Sequence, residues 1–251
     1  MGTVYAEQNK NDQAISSYNK SIKNDKNNFK AYNNLGVLMY KLFKFKDAQK
    51  YYNEAIKINS KFYRAINNLG ATLIFLGKFN EAMNCFDEVI KNEPNNLESH
   101  LNKGNILKNR GYLHEAIICF ENALKINPNI SKIHNDFAIA LLKSKKKYAK
   151  AIFHLKKAIE LDQNNFKAYL NLGHIYKDLA QYKNAITNYE KARKIKPDSD
   201  TIYSTLLYIS SFMDDVTPQY YNSIGKKFRN SIKLFDKKKL LHINIIKFQR
   251  N

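Results

Sequence analysis

Apolar residues along this chain recur at spacings of three and four between short polar stretches, and the whole pattern returns every 34 residues. Such spacing marks helices with one buried face. In one unit it predicts a first helix, A, over 31–41 and a second, B, over 46–59. The A helices carry Tyr32-x-x-Leu35-Gly36, Ile66-x-x-Leu69-Gly70, His100-x-x-Lys103-Gly104, His134-x-x-Phe137-Ala138 and Tyr169-x-x-Leu172-Gly173. The B helices carry a small residue and, four further on, a ring or large apolar group: Ala48/Tyr52, Ala82/Phe86, Ala116/Phe120, Ala151/Leu155 and Ala185/Tyr189. A second small position follows at Ala55, Ala123, Ala158 and Ala192, with Val89 as the exception. Pro94, Pro128 and Pro197 are expected to stop helix B, because proline has no N–H and clashes with the preceding turn. Gly36 is expected to face Ala48 where A and B cross, and Gly77-Lys78 to form a tight A–B turn.

This order of aromatic, Leu-Gly, Ala, aromatic and Pro resembles the tetratricopeptide repeat. The resemblance implies an all-α, right-handed superhelix of about six repeats with a C-terminal helical extension. The units are placed near 1–28 (partial), 29–62, 63–96, 97–130, 131–165 and 166–199, with the extension over 200–251. One pair of helices cannot bury its apolar face alone, so stacked neighbours share one core. The fifth unit has one extra residue near Lys143-Ser144-Lys145-Lys146-Lys147, which a surface turn absorbs. At the start, Gly2 and Tyr5 fit the glycine and aromatic positions of an A helix whose front half is missing, as in a piece of a longer protein.

Beyond residue 199 the period is lost. Ile202 to Tyr208 still reads as an A helix, and Thr217-Pro218 as the N-cap and first position of a further helix to Phe228. Leu240 to Ile246 reads as a strand. The run Ile202–Leu207, Thr217-Pro218-Gln219 and Gly225-Lys226-Lys227-Phe228 resembles the junction between repeats and catalytic domain in O-linked N-acetylglucosaminyltransferase and SPINDLY-type enzymes. That likeness implies the substrate-recognition part of a nucleotide-sugar-dependent protein glycosyltransferase. The Ser-Pro-Asp-Phe expected after the strand is absent; Lys247-Phe248-Gln249-Arg250 stands there. The alternative is a stand-alone protein–protein interaction module.

Charge changes the picture little. The formal net charge is +20, but lysines are scattered over every repeat and form no single stripe. Nucleic acid is therefore not the expected partner, and no apolar run is long enough for a membrane helix. Cys85 and Cys119 hold the same place in successive B helices, about 8–10 Å apart at helix-packing distance, beyond the roughly 7 Å reach of a disulfide. Free thiols point to a cytoplasmic or nucleocytoplasmic protein.

The chain shows no Walker loop, G-x-S-x-G elbow or H-E-x-x-H helix, so no catalytic residue, metal site or cofactor is assigned. His100 and His134 are read as packing substitutes for the repeat aromatic. His174 is read as facing the groove, and His114, His154 and His242 as having no recognisable partner. One position before the Leu place of each A helix stands an amide or acid: Asn34, Asn68, Asn102, Asp136 and Asn171. An amide both donates and accepts. A row of them on the concave face can grip the backbone of an extended peptide, and the transferase resemblance implies the same asparagine ladder. The plain alternative is that these amides tie neighbouring helices together. A carboxylate clamp is not supplied by Asn33/Val37 or Asn67/Ala71, and self-association is left open.

Overall fold

The computed structural model describes residues 2–145, 147–211, 217, 219–220 and 222–229. All regular structure among them is helical. Two compact bodies divide at Pro128. The first holds α1 (Gly2–Glu7), α2 (Asn11–Asn24), α3 (Phe29–Lys41), α4 (Phe45–Ile58), α5 (Tyr63–Phe75), α6 (Phe79–Asn92), α7 (Leu97–Arg110) and α8 (Leu113–Ile126). The second holds α9 (Ser131–Lys145), α10 (Tyr148–Leu161), α11 (Phe166–Asp178), α12 (Tyr182–Ile195) and α13 (Asp200–Ser210). Residues 219–220 and 222–229 are helical as well. Within each body, every helix packs on the next in an antiparallel A–B series, a helical solenoid.

Local chemistry sets the boundaries. The side chains of Asn28, Asn96 and Asn165 accept hydrogen bonds from the backbone N–H groups of Ala31, Ser99 and Ala168, capping α3, α7 and α11. Thr217 does the same for Tyr220 at 3.2 Å, the N-cap expected from the sequence. Helices α6, α8 and α12 end two residues before Pro94, Pro128 and Pro197. The extra residue of the fifth unit lengthens α9, and α10 starts 17 residues after α9 begins (148 − 131), against 16 for α5 and α6 (79 − 63). The Leu240–Ile246 strand and the terminal lysines lie outside the described residues.

The core consists of the small and large positions of the repeat. Ala14, Ala48, Ala55, Ala82, Ala116 and Ala123 are fully buried in the first body, beside Tyr52, Phe86 and Phe120. Each A-helix glycine faces a B-helix ring rather than the B-helix alanine. A Cβ on Gly36 would sit 2.6 Å from the Tyr52 ring, and one on Gly70 2.7 Å from Phe86. Gly2 stands in the same relation to Tyr18, and Gly173 to Tyr189. The expected Gly36–Ala48 contact is thus replaced by glycine seating the ring four residues further along α4. A ring has the area to cover the crossing, so glycine is needed to admit it.

Candidate functional site

The A helices are the elements that could line a binding face. In the first body α3 meets α5 and α5 meets α7, as α9 meets α11 in the second, so successive A helices lie closely side by side. Two polar rows run along them, one residue apart. The inner row, Asn33, Asn67 and Asn135, is buried. The outer row, Asn34, Asn68, Asn102, Asp136 and Asn171, is half-buried throughout.

The inner row was missed in the sequence, and it partly determines what the outer row can do. Asn68 Nδ2 donates to Asn33 Oδ1 at 3.1 Å, and Asn171 Nδ2 donates to Asn135 Oδ1 at 2.9 Å. Asn33 Nδ2 in turn donates to Asn34 Oδ1 at 3.4 Å. Asn67 donates to Glu98 Oε2 at 2.9 Å and accepts from Ser99 Oγ at 2.9 Å, tying α5 to α7. A buried amide without partners is costly, so these ties fix the register of neighbouring A helices. They also orient the outer amides. Asn68 and Asn171 each keep a carbonyl oxygen and one N–H for another partner, and Asn34 keeps its NH₂. Asn102 makes no side-chain hydrogen bond to a described residue. Asn34 also borders a hollow of about 570 Å³ between α1, α2 and α3, lined with Tyr18, Asn28 and Ala31. Asn68 and Asn171 thus tie neighbouring A helices through one edge of the amide, while the bond of Asn34 stays within α3.

The histidines are part of the packing. His100 is buried and its Nε2 lies 2.9 Å from the Pro94 carbonyl, to which it donates. His174 does not face a groove as a free group: its Nδ1 is hydrogen-bonded to the Tyr189 hydroxyl at 2.8 Å. Burial, then Lys177, lowers the His174 pKa, and burial raises that of Tyr189. His154 has a partner that the sequence did not show. Its Nδ1 is 2.9 Å from Nδ1 of buried His134, and the rings stack with centroids 5.2 Å apart. One ring donates and the other accepts. Burial first, then His134 and Lys150, lowers the His154 pKa to about 4.

The remaining candidates carry no chemistry. Cys85 and Cys119 are free, and their Cβ atoms lie 3.2 and 3.1 Å from the Cβ positions of Gly70 and Gly104. Burial, then Glu88 and Glu81, pushes the Cys85 thiol up to about 11, and burial raises Cys119 too. Such thiols are poor nucleophiles. Lys108, on α7, is buried, bonds Asn105 at 2.9 Å and lies over the Phe120 ring. Among the described residues no group of three or more metal-ligating side chains comes together, and no helix is long and apolar enough to cross a membrane.

The comparisons agree with this geometry. Tetratricopeptide repeat models match residues 29–62, 97–130, 63–96 and 166–199, and a TPR repeat model matches 2–42 and 141–180. No curated protein sequence matches. Among solved structures, YrrB, "a TPR protein with an unusual peptide-binding site", is 20% identical with a TM-score of 0.64, covering 76% of this chain and 98% of its own. Pseudomonas aeruginosa PilF is 20% identical with a TM-score of 0.73, covering 82% and 93%. A repeat-protein fragment from Cytophaga hutchinsonii is 21% identical with a TM-score of 0.67, covering 92% of each chain. At these identities the structures speak for the fold alone. With helix pairs, glycine–ring crossings and family models agreeing over residues 2–130 and 141–199, the chain belongs to the tetratricopeptide repeat family.

Proposed function

We propose that residues 1–199 form a scaffold that binds extended protein segments on each body, through the open edges of Asn34, Asn68 and Asn102 on the first and through Asn171, with Asp136 beside it in the row, on the second. The observation that carries this reading is the two-row arrangement. Buried Asn33 and Asn135 hold Asn68 and Asn171 from behind, so their free N–H and C=O groups are preorganised. A peptide backbone offers the complementary pair at every residue, which makes binding tolerant of side-chain sequence. YrrB's described peptide-binding site supports such a use for the fold. The free thiols of Cys85 and Cys119 fit a cytoplasmic or nucleocytoplasmic setting, where unpaired cysteines persist.

The finer reading, a front end for a protein glycosyltransferase, rests on Thr217 as an N-cap and on the run that follows it. The solved structures named above are repeat proteins, and none is described as a glycosyltransferase. The scaffold reading stands without it.

The test is a random 12-residue peptide library displayed on phage and selected on the immobilised chain, with selected peptides synthesised and titrated by fluorescence anisotropy. Each amide–backbone hydrogen bond contributes about 1 kcal/mol. The double variant Asn68→Ala/Asn102→Ala should therefore weaken groove-binding peptides by about tenfold or more. If every selected peptide binds that variant as tightly as wild type, the outer row is structural only.

A further inference from the structure

Two apolar departures from the repeat converge on one exposed patch of the first body. The A–B turn requires one residue in the left-handed region. Gly77 (φ +74°) and Gly111 (φ +88°) supply it in the third and fourth units and the small Asn9 and Ala180 (both φ +56°) in the first and sixth, but a bulky ring, Phe43 (φ +59°), supplies it in the second. A bulky residue in this conformation is strained, and the phenyl group gives little back to the fold, being 80% exposed. The second departure is Phe75, 58% exposed at the end of α5, where the neighbouring units carry Lys41 and Asn109. These two rings meet the same group. Phe75 stacks on Phe45 with centroids 4.7 Å apart at 12°, and Phe43 lies edge-on to Phe45 at 6.2 Å. Tyr40 packs edge-on to both Phe45 and Phe75 at 5.5 Å. Lys41, Lys44 and Lys46, each next in sequence to a residue of the cluster, are exposed, as is Asp47, and none of the three lysines makes an ion pair with a described residue.

We infer that this ring cluster on the α3–α4 turn and the end of α5 is a second docking site, for a protein segment that pairs apolar side chains with carboxylates. Strain kept at an exposed aromatic is explained by a partner that covers it. The unpaired lysines select the partner's sign and argue against a second copy of the same patch, whose lysines would repel them. Interlocked rings present corners and edges to aliphatic and aromatic side chains, not the row of open faces that stacks successive bases. Two partly exposed rings are also a smaller apolar anchor than the single acyl chain that holds a protein only marginally at a membrane.

The phage selection described above also tests this site, and separately from the groove. A class of selected peptides rich in Asp or Glu with Phe, Leu or Ile is expected to lose about tenfold or more in affinity to Phe43→Gly, and to weaken on Lys44→Glu. The same peptides should be unaffected by Asn68→Ala/Asn102→Ala. Phe43→Gly installs the residue that two sibling turns, at Gly77 and Gly111, already use, so its melting temperature should equal or exceed that of wild type and its fold is not in doubt. Phe75→Asn, also a sibling residue, serves as the second variant. The inference is overturned if no selected peptide responds to Phe43→Gly or Phe75→Asn. It is equally overturned if the variants instead abolish binding to phosphatidylcholine–phosphatidylserine vesicles or to oligo(dT), with peptide binding unchanged.

Discussion

The pair α3–α4 and the pair α9–α10 carry different residues at the crossing positions of the repeat. In the first, Gly36 lies under the Tyr52 ring, with no room for a Cβ. In the second, Ala138 stands at the glycine place and Leu155 at the ring place, and both are fully buried. One methyl group gained on the A helix accompanies one ring lost from the B helix. The second pair has no ring at that crossing; instead its aromatic contacts lie one residue earlier, where Phe137 packs on His154 with centroids 4.6 Å apart and His154 stacks on His134. Interiors are packed to crystal-like density, so volume added on one side of a crossing is taken from the other. The difference teaches that the repeat specifies the summed volume at the crossing, and the identity of each residue only through that sum.

Deleting the large member of a crossing gives the largest effect. Phe86, fully buried against the Gly70 position, should lose about 3–5 kcal/mol as Phe86→Ala. Leu155→Ala should lose about 2–5 kcal/mol, at the lower end because less volume is removed. Urea denaturation followed by far-UV circular dichroism measures both. Equal losses would mean that the two crossings do not differ in the volume they hold.

Swapping the small member probes the comparison directly. Gly36→Ala places a Cβ 2.6 Å from the Tyr52 ring, an overpacking that costs about 1–3 kcal/mol. Tyr52→Leu alone leaves a void. The double variant Gly36→Ala/Tyr52→Leu rebuilds the Ala138/Leu155 solution, so its loss should fall short of the sum of the single losses by about 1 kcal/mol or more. Strict additivity in denaturation midpoints would refute the shared-volume account.

Much of this was legible because the positions concerned face the core and repeat. Ala48, Tyr52, Ala82 and Phe86 stand out by spacing alone, as does the Ala138/Leu155 exception. What the glycines touch was not legible: Ala48 and Tyr52 are one helical turn apart on the same face, and only the crossing geometry decides which lies opposite Gly36. Likewise Asn33 and Asn34 are adjacent in sequence but about 100° apart around the helix, and nothing in the letters says which amide is buried. His154 was read as partnerless because its partner, His134, lies on another helix, 20 residues away. The outer row stands out in the sequence by its place before the Leu position, while the buried row that orients it was missed because neighbouring asparagines look alike until one is enclosed.

The histidine pair makes the second crossing sensitive to acid in a way the first is not. His154 has its pKa lowered from 6.5 to about 4 in the folded chain. The unfolded chain binds this proton more readily, so the related stability is complete above about pH 6.5 and is lost progressively as pH falls towards 4. Between pH 7 and 5 the loss from this group should be about 1–2 kcal/mol, given about 1.4 kcal/mol per unit and a half-buried ring. His154→Phe should remove that part of the pH dependence while leaving the carboxylate titrations in place. An unchanged difference in urea midpoint between pH 7 and pH 5 would show that His154 titrates normally.

The smallest expected effect concerns the turns. In the first body Gly77 meets nothing within 4 Å of a Cβ position, so Gly77→Ala tests the left-handed backbone alone (φ +74°). It should cost about 1 kcal/mol. The turn between α11 and α12 places Ala180 in the same region at φ +56°. Ala180→Gly should therefore stabilise the second body by about as much as Gly77→Ala destabilises the first if the two turns share one geometry, because the extra freedom of glycine in the unfolded chain enters both changes with opposite sign. A thermal melt in which Ala180→Gly lowers the midpoint would show that the Ala180 methyl makes a contact outweighing its strain, and that the two bodies close their turns by different means.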